Sequence, residues 1–206
     1  MSELWDLVDI NGRKTGILHE RERMDFIPEG MFHIVVDIWT KRGNEILLTQ
    51  RHPSKPYPLE WENTGGSVIS GEETLDGAIR ELKEETGLLA QRNRLIYLGR
   101  EINYKRKGMY ESYLFIMEDE QELHLQAEEV VAAKFVRLNE MDKYKDEIVD
   151  GVWHRFCRYK NRIERITAYN EVYHLVPTNK HDVSSIEELS ALTDNEIEPI
   201  IYDLLE

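Results

Sequence analysis

Gly66-Ser67-Val68-Ile69-Ser70-Gly71-Glu72-Glu73-Thr74-Leu75-Asp76-Gly77-Ala78-Ile79-Arg80-Glu81-Leu82-Lys83-Glu84-Glu85-Thr86-Gly87-Leu88 has the period of an amphipathic helix. The spacing predicts a helix over 72–86, stopped by Gly87 at the position where a left-handed residue closes a helix. On a helical wheel Leu75, Ala78, Ile79 and Leu82 fall on one stripe, which should pack on a sheet. Glu81, Glu84 and Glu85 stand at i, i+3 and i+4, so their carboxylates project from one adjoining face. Gly77 lies on that face one turn earlier and is expected to leave room there for a ligand.

This placement works against local electrostatics. Like charges at i,i+4 destabilise a helix by roughly 0.2–0.5 kcal/mol per pair. The three glutamates also sit in the C-terminal half of the helix, where the macrodipole disfavours negative charge. A divalent cation would reverse both penalties, and hard carboxylate oxygens suit Mg²⁺, with Mn²⁺ as a substitute. The wheel geometry alone is equally that of a solvated acidic face, offset by Arg80 and Lys83.

Working outward, residues 4–9 and 16–19 flank Asn11-Gly12, a turn pair that predicts an opening hairpin. Residues 31–40 and 45–50 read as strands joined by Lys41-Arg42-Gly43-Asn44, and the proline-rich 52–60 reads as a loop. A short strand is expected at about 65–69, and longer ones near 94–104, 109–118 and 131–137. Asn139 is a candidate cap for a short helix, and a longer helix is expected at about 148–166. Two short helices are expected around 185–192 and 194–205. The expected fold class is α/β (α+β), a mixed sheet between helices, with residues 1–166 as the main domain and 167–206 as a helical C-terminal extension. The extension has enough apolar residues to pack on the domain, cover the site or form a homodimer.

The chain has 206 residues, enough for one good core, and a net charge of −14 that speaks against general nucleic-acid binding. No apolar run reaches the length of a membrane span, and the first residues lack a signal-peptide pattern. One cysteine, Cys157, permits no disulfide within the chain, and its expected place is as a small buried hydrophobe. These features together point to the cytoplasm.

The Gly66–Leu88 segment resembles the Nudix box, Gly-x5-Glu-x7-Arg-Glu-U-x-Glu-Glu-x-Gly-U with U aliphatic. Gly66, Glu72, Arg80, Glu81, Leu82, Glu84, Glu85, Gly87 and Leu88 fill all nine constrained positions over 23 residues. The resemblance implies an α/β/α sandwich with a mixed β-sheet and the hydrolysis of a small-molecule diphosphate, such as a nucleoside diphosphate derivative. It implies Glu81, Glu84, Glu85 and the Gly66 carbonyl as metal ligands, Arg80 as the residue that orients the glutamates, and Glu72 at the helix start, where a carboxylate caps orphan N–H groups. The general base could be Glu84 or Glu85, or a later carboxylate. Glu111 and Glu128 rank equally there, and Glu129 is also a candidate.

The N-terminal half also resembles the isopentenyl-diphosphate isomerase-like branch of that superfamily. The features are Trp5-Asp6-Leu7-Val8-Asp9-x-Asn11-Gly12, Phe32-His33, Leu47-Leu48-Thr49-Gln50-Arg51 and Lys55-x-x-Pro58-x-x-Trp61-x-Asn63. Gly65 stands where the isomerase cysteine would be, and Ser67 where a histidine would be, so the resemblance disfavours isomerisation. His33 matches a family histidine, though a strand histidine with a hydrogen-bond partner is the plainer reading. Arg51 and Lys55 are candidate phosphate contacts. Trp61 and Tyr57 are candidates to stack on a base, or to cover the core edge. Lys105-Arg106-Lys107 is a basic turn that could draw in an anion. A non-catalytic metabolite sensor is the third reading; the intact box and the acidic tail oppose it.

Overall fold

The computed structural model describes residues 2–117 and 120–166. The chain opens with a two-stranded hairpin, β1 (Leu4–Val8) and β2 (Lys14–Glu20), joined through the expected turn. A 3₁₀ segment, Arg21–Phe26, leads to the long strand β3 (His33–Arg42), followed by β4 (Glu45–Arg51), β5 (Trp61–Glu62) and β6 (Thr64–Ser67). Then come α1 (Thr74–Thr86), β7 (Leu95–Asn103), β8 (Gly108–Ile116), β9 (Val130–Arg137), a 3₁₀ segment over Leu138–Glu147 and α2 (Asp150–Arg165). Asn139 does not cap that segment: Arg137 precedes it, without a side-chain cap. The two short helices expected in 167–206, and the division of the chain at 166, lie outside the described residues.

β3 and β4 pair only at their hairpin end, Lys41 with Ile46 and Arg42 with Glu45. Beyond that point they part. β3 takes β6 antiparallel on one side and β8 parallel on the other, with β7 antiparallel beyond β8. β4 takes β5 and β9, both antiparallel. The result is a mixed sheet split at one end, and the gap between its halves is where the site forms.

Strand alternation assigns the two faces. Tyr113 and Phe115 of β8 join Val36, Ile38, Ala78 and Leu82 under α1. Leu114 and Ile116 join Trp39, Ile96, Leu98 and the α2 stripe Val152, Phe156, Tyr159 and Ile163 on the other face. Each large side chain fully buried this way contributes about 1.5–3 kcal/mol. Helix, sheet and helix thus form the expected α/β/α sandwich. α1 ends as its spacing predicts: Gly87 is left-handed at φ 76°, and its N–H donates to the Lys83 carbonyl. A buried lysine, Lys41, ties the end of α2 to β3 by donating to the carbonyls of Ile163 and Ile166, each at 2.6 Å. Among the described residues no helix is long and apolar enough to cross a membrane.

Candidate active site

The box folds as the end of β6, a turn over residues 69–72 and then α1. Ala78 and Leu82 are fully buried on the sheet, with Leu75 and Ile79 packed beside them. That sets the orientation of α1 and turns Glu81 and Glu85 inward. Their side chains are 14% and 4% exposed, whereas Glu84 is 50% exposed. In β6, Gly65 and Gly66 pair with Asp37 and Val36 of β3. A Cβ at Gly66 would lie 2.3 Å from the Glu81 carboxylate, so only glycine lets that carboxylate rest on the strand. A Cβ at Gly65 would lie 2.4 Å from the Val36 carbonyl oxygen. On this backbone the isomerase cysteine has no place.

Arg80 binds the box together. Its guanidinium donates to both oxygens of Glu72 (2.9 and 3.0 Å), to Glu81 (2.7 Å), to Glu84 (3.0 Å) and to the Ser67 carbonyl (3.0 Å). Burial opposes its charge, but Glu72 and Glu81 outweigh burial and keep it protonated. Two expectations change here. Glu72 does not cap α1; it accepts from Arg80 and from the Ile69 N–H of the turn. Gly77 leaves no room for a ligand either, because a Cβ there would meet Glu72 at 3.1 Å and Val68 at 3.2 Å.

Glu85 accepts from the Gly65 N–H at 3.3 Å, and its other oxygen lies 3.6 Å from the Lys55 ammonium. Burial, reinforced by nearby Glu62, pushes the Glu85 carboxyl up to about 8 despite Lys55. Burial likewise raises Glu81 and Glu62 above the usual carboxylate range. Lys55 also reaches Glu129 at 2.6 Å and Glu62 at 3.8 Å, and Arg51 pairs with Glu62. Arg51 and Lys55 therefore enter the site as counter-charges to its carboxylates. Glu62, one residue past Trp61, is a member the sequence reading missed.

Of the candidate bases, Glu128 is exposed while its neighbour Glu129 reaches Lys55. Glu111 is buried, with one oxygen taken by Arg100 (2.7 Å) and the other by the Tyr97 hydroxyl (2.6 Å). Trp61 packs at the edge of the α2-side core under the Lys134 ammonium, 3.8 Å from its ring centroid, a placement that agrees with core cover. His33 stacks on Trp5 at 4.1 Å, and burial lowers its pKa to about 4. Cys157 is exposed on α2, not buried as expected.

Beside Arg51, Glu62 and Gly65 a cavity of about 410 Å³ opens on the α2 face. Tyr57 and Arg106 stand at its mouth, and Arg155 of α2 reaches it from a helix far along the chain.

The residues suit a hard divalent cation by donor type, and Gly66, with no Cβ, lets the Glu81 carboxylate lie against the backbone of β6. In the arrangement described, Glu81 and Glu84 turn to Arg80, and Glu85 turns to Gly65 and Lys55. No three carboxylates among the described residues converge on one point.

The NUDIX domain family matches residues 31–156. An uncharacterized Nudix hydrolase of Listeria monocytogenes is 30% identical over 145 residues, covering 68% of this chain and 83% of that one. Isopentenyl-diphosphate Delta-isomerase of Rhodobacter capsulatus is 26% identical over 167 residues, covering 77% of this chain and 86% of that one. The NUDIX domain of Shewanella oneidensis NrtR, solved with ADP ribose, superposes with a TM-score of 0.54 at 16% identity, covering 70% of this chain and 94% of that one. The box, the turn it rests on and the split sheet around it are thus those of a known enzyme family: the chain is a member of the Nudix hydrolases.

Proposed function

We propose that the protein hydrolyses the anhydride of a nucleoside diphosphate derivative or similar organic diphosphate, with Mg²⁺ (or Mn²⁺) held by Glu81, Glu84, Glu85 and the Gly66 carbonyl. The observation that carries this reading is the withdrawal of Glu81 and Glu85 from solvent against Gly65 and Gly66 of β6, where charge is disfavoured until a cation arrives. When bound, the cation neutralises phosphate oxygens and lowers the pKa of an attacking water. In the reaction the water oxygen bonds to one phosphorus, the bridging P–O bond breaks, and the water's proton passes to a carboxylate. Glu129 is the carboxylate we assign to that transfer: it keeps one oxygen outside any hydrogen bond or ion pair to the described residues, whereas Glu84 has one oxygen on Arg80 and gives the other to the cation. Arg80 fixes Glu81 and Glu84 from behind. Lys55 exchanges Glu129 for a substrate phosphate oxygen, a trade of one anion for another, while Arg51 keeps its pair with Glu62 and turns its other terminal nitrogen to the phosphate.

The ligand solved in the Shewanella domain supports a nucleoside diphosphate derivative as the class. Isomerisation is not favoured, because Gly65 offers no acid–base group and no room for one. The test is a panel of ADP-ribose, nucleotide sugars, dinucleoside polyphosphates, coenzyme A and isopentenyl diphosphate with Mg²⁺, products identified by mass. Two phosphate-ended products that together contain one added water support hydrolysis. A product of unchanged mass from isopentenyl diphosphate would support the isomerase instead.

A further inference from the structure

The α2-face cavity contains an arginine whose geometry the hydrolytic centre does not use. Arg155 is 6% exposed. Its Nε lies 3.3 Å from Asp37, yet it meets no acceptor in hydrogen-bond geometry. Its terminal nitrogens make no hydrogen bond to any described residue. Asp37 does not need them: it already accepts from Ser112 (2.7 Å) and Asn63 (3.0 Å). The guanidinium is held by stacking, 4.2 Å over the ring of Tyr110, and NH1 lies beside Gly151 in the first turn of α2. Nε is thus a buried donor left unmet, which is costly, and the terminal nitrogens are left for an acceptor arriving in the cavity that Arg155 lines.

The surroundings say what would. The start of α2 lines the same cavity without a side-chain N-cap, so its positive end is presented there. Lys105 and Arg106, from the turn between β7 and β8, stand exposed at the rim. Arg106 is steadied by a hydrogen bond to the Tyr57 hydroxyl. Against these, Glu62 is already paired with Arg51, and Asp150 is exposed at the edge. On a chain of net charge −14 this is a local cationic pocket. It adjoins the hydrolytic centre through Gly65, whose N–H donates to Glu85.

We infer that Arg155, with the first turn of α2 and rim residues Lys105 and Arg106, forms a subsite for a second anionic group on the substrate, a phosphomonoester or carboxylate remote from the hydrolysed anhydride. The inference rests on the hydrolase reading only for the ligand being an organic diphosphate. The subsite selects substrates by charge: a planar guanidinium offers paired donors to either group. Diphosphates without a distal anion leave those donors unmet and bind more weakly.

The test is calorimetric binding to the full chain in EDTA, which needs no turnover. Coenzyme A is compared with dephospho-coenzyme A, which lacks one phosphomonoester, and UDP-glucuronate with UDP-glucose, which lacks one carboxylate. The anionic member of at least one pair should bind about ten- to hundredfold tighter. The pair that shows the advantage identifies the group. Arg155→Gln should bring that ratio close to one, Arg106→Gln should lower it severalfold, and Glu85→Gln should keep it. If R155Q fails to fold, the double variant Asp37→Asn/Arg155→Gln, which removes both charges, carries the same expectation. Equal affinities within both pairs, or a ratio that survives loss of Arg155, would overturn the subsite. Absence of turnover with the ratio intact would instead count against the hydrolase reading alone.

Discussion

Alanine at the adjacent glycines 65 and 66 should fail in opposite ways. At Gly65 the new Cβ would lie 2.4 Å from the Val36 carbonyl oxygen and 3.2 Å from the Asp37 Cα, all backbone of the strand it pairs with. β6 must then move off β3. Overpacking of this kind costs about 1–3 kcal/mol, and for a domain of this size a Tm fall of roughly 3–10 °C. At Gly66 the three atoms nearest the new Cβ all belong to the Glu81 carboxylate, the far end of a flexible side chain. Glu81 can swing away at the loss of its 2.7 Å bond from Arg80, which retains Glu72. The stability loss should be about 1 kcal/mol, because Arg80 keeps its other partners. Activity should suffer far more, since displacing the carboxylate proposed to hold the metal by an ångström or more should lower kcat by about a hundredfold. Thermal melts and Mg²⁺-dependent turnover on the two variants decide the matter. If Gly66→Ala keeps wild-type kcat, or if the two variants lose the same stability and the same activity, the reasoning about the strand is wrong.

Arg80→Gln should lower Mg²⁺ affinity by about ten- to hundredfold, because Glu81 and Glu84 lose the group that orients them; calorimetric Mg²⁺ titration reads this, and unchanged affinity would refute it. His33 is neutral in the fold, with its pKa lowered to about 4 from 6.5. The unfolded chain therefore binds the extra proton between those values, and stability falls as pH drops through that window, by about 2 kcal/mol at pH 5. The stability lost between pH 7 and pH 5, read from urea melts, should be larger by about that amount in wild type than in His33→Phe, and parallel pH dependences would contradict the assignment. Lys41→Met keeps the volume but removes the donor to the Ile163 and Ile166 carbonyls. It should cost about 2–4 kcal/mol in urea unfolding, with hydrolysis by the folded fraction retained.

Much of this site was legible because its signal is local. The stripe of Leu75, Ala78, Ile79 and Leu82 fixed how α1 lies, and the spacing of Glu81, Glu84 and Glu85 then followed from helix geometry. Gly87 marked the helix end for the same reason. What sequence reasoning missed depends on contacts between distant segments. Gly77 looked like room for a ligand until Glu72 and Val68 filled the space. Glu128 and Glu129 are indistinguishable in a sequence, but adjacent side chains diverge, and Glu129 is the one that reaches Lys55. Trp61 and Glu62 divide in the same manner, the tryptophan to the core edge and the glutamate to Arg51. Arg155 carried no motif at all. Its meaning comes from the parallel pairing of β3 with β8, which sets Asp37 beside Ser112, beneath a helix from the end of the domain.

The central claim is that the box carboxylates serve a metal-dependent hydrolysis. The most direct measurement is the initial rate on the best panel substrate as a function of Mg²⁺, for wild type and Glu85→Gln, with an EDTA control. Saturable dependence on Mg²⁺, no rate in EDTA, and a loss of about a hundredfold or more in Glu85→Gln are the expected results. Turnover that persists in EDTA, or that Glu85→Gln leaves intact, would contradict the account.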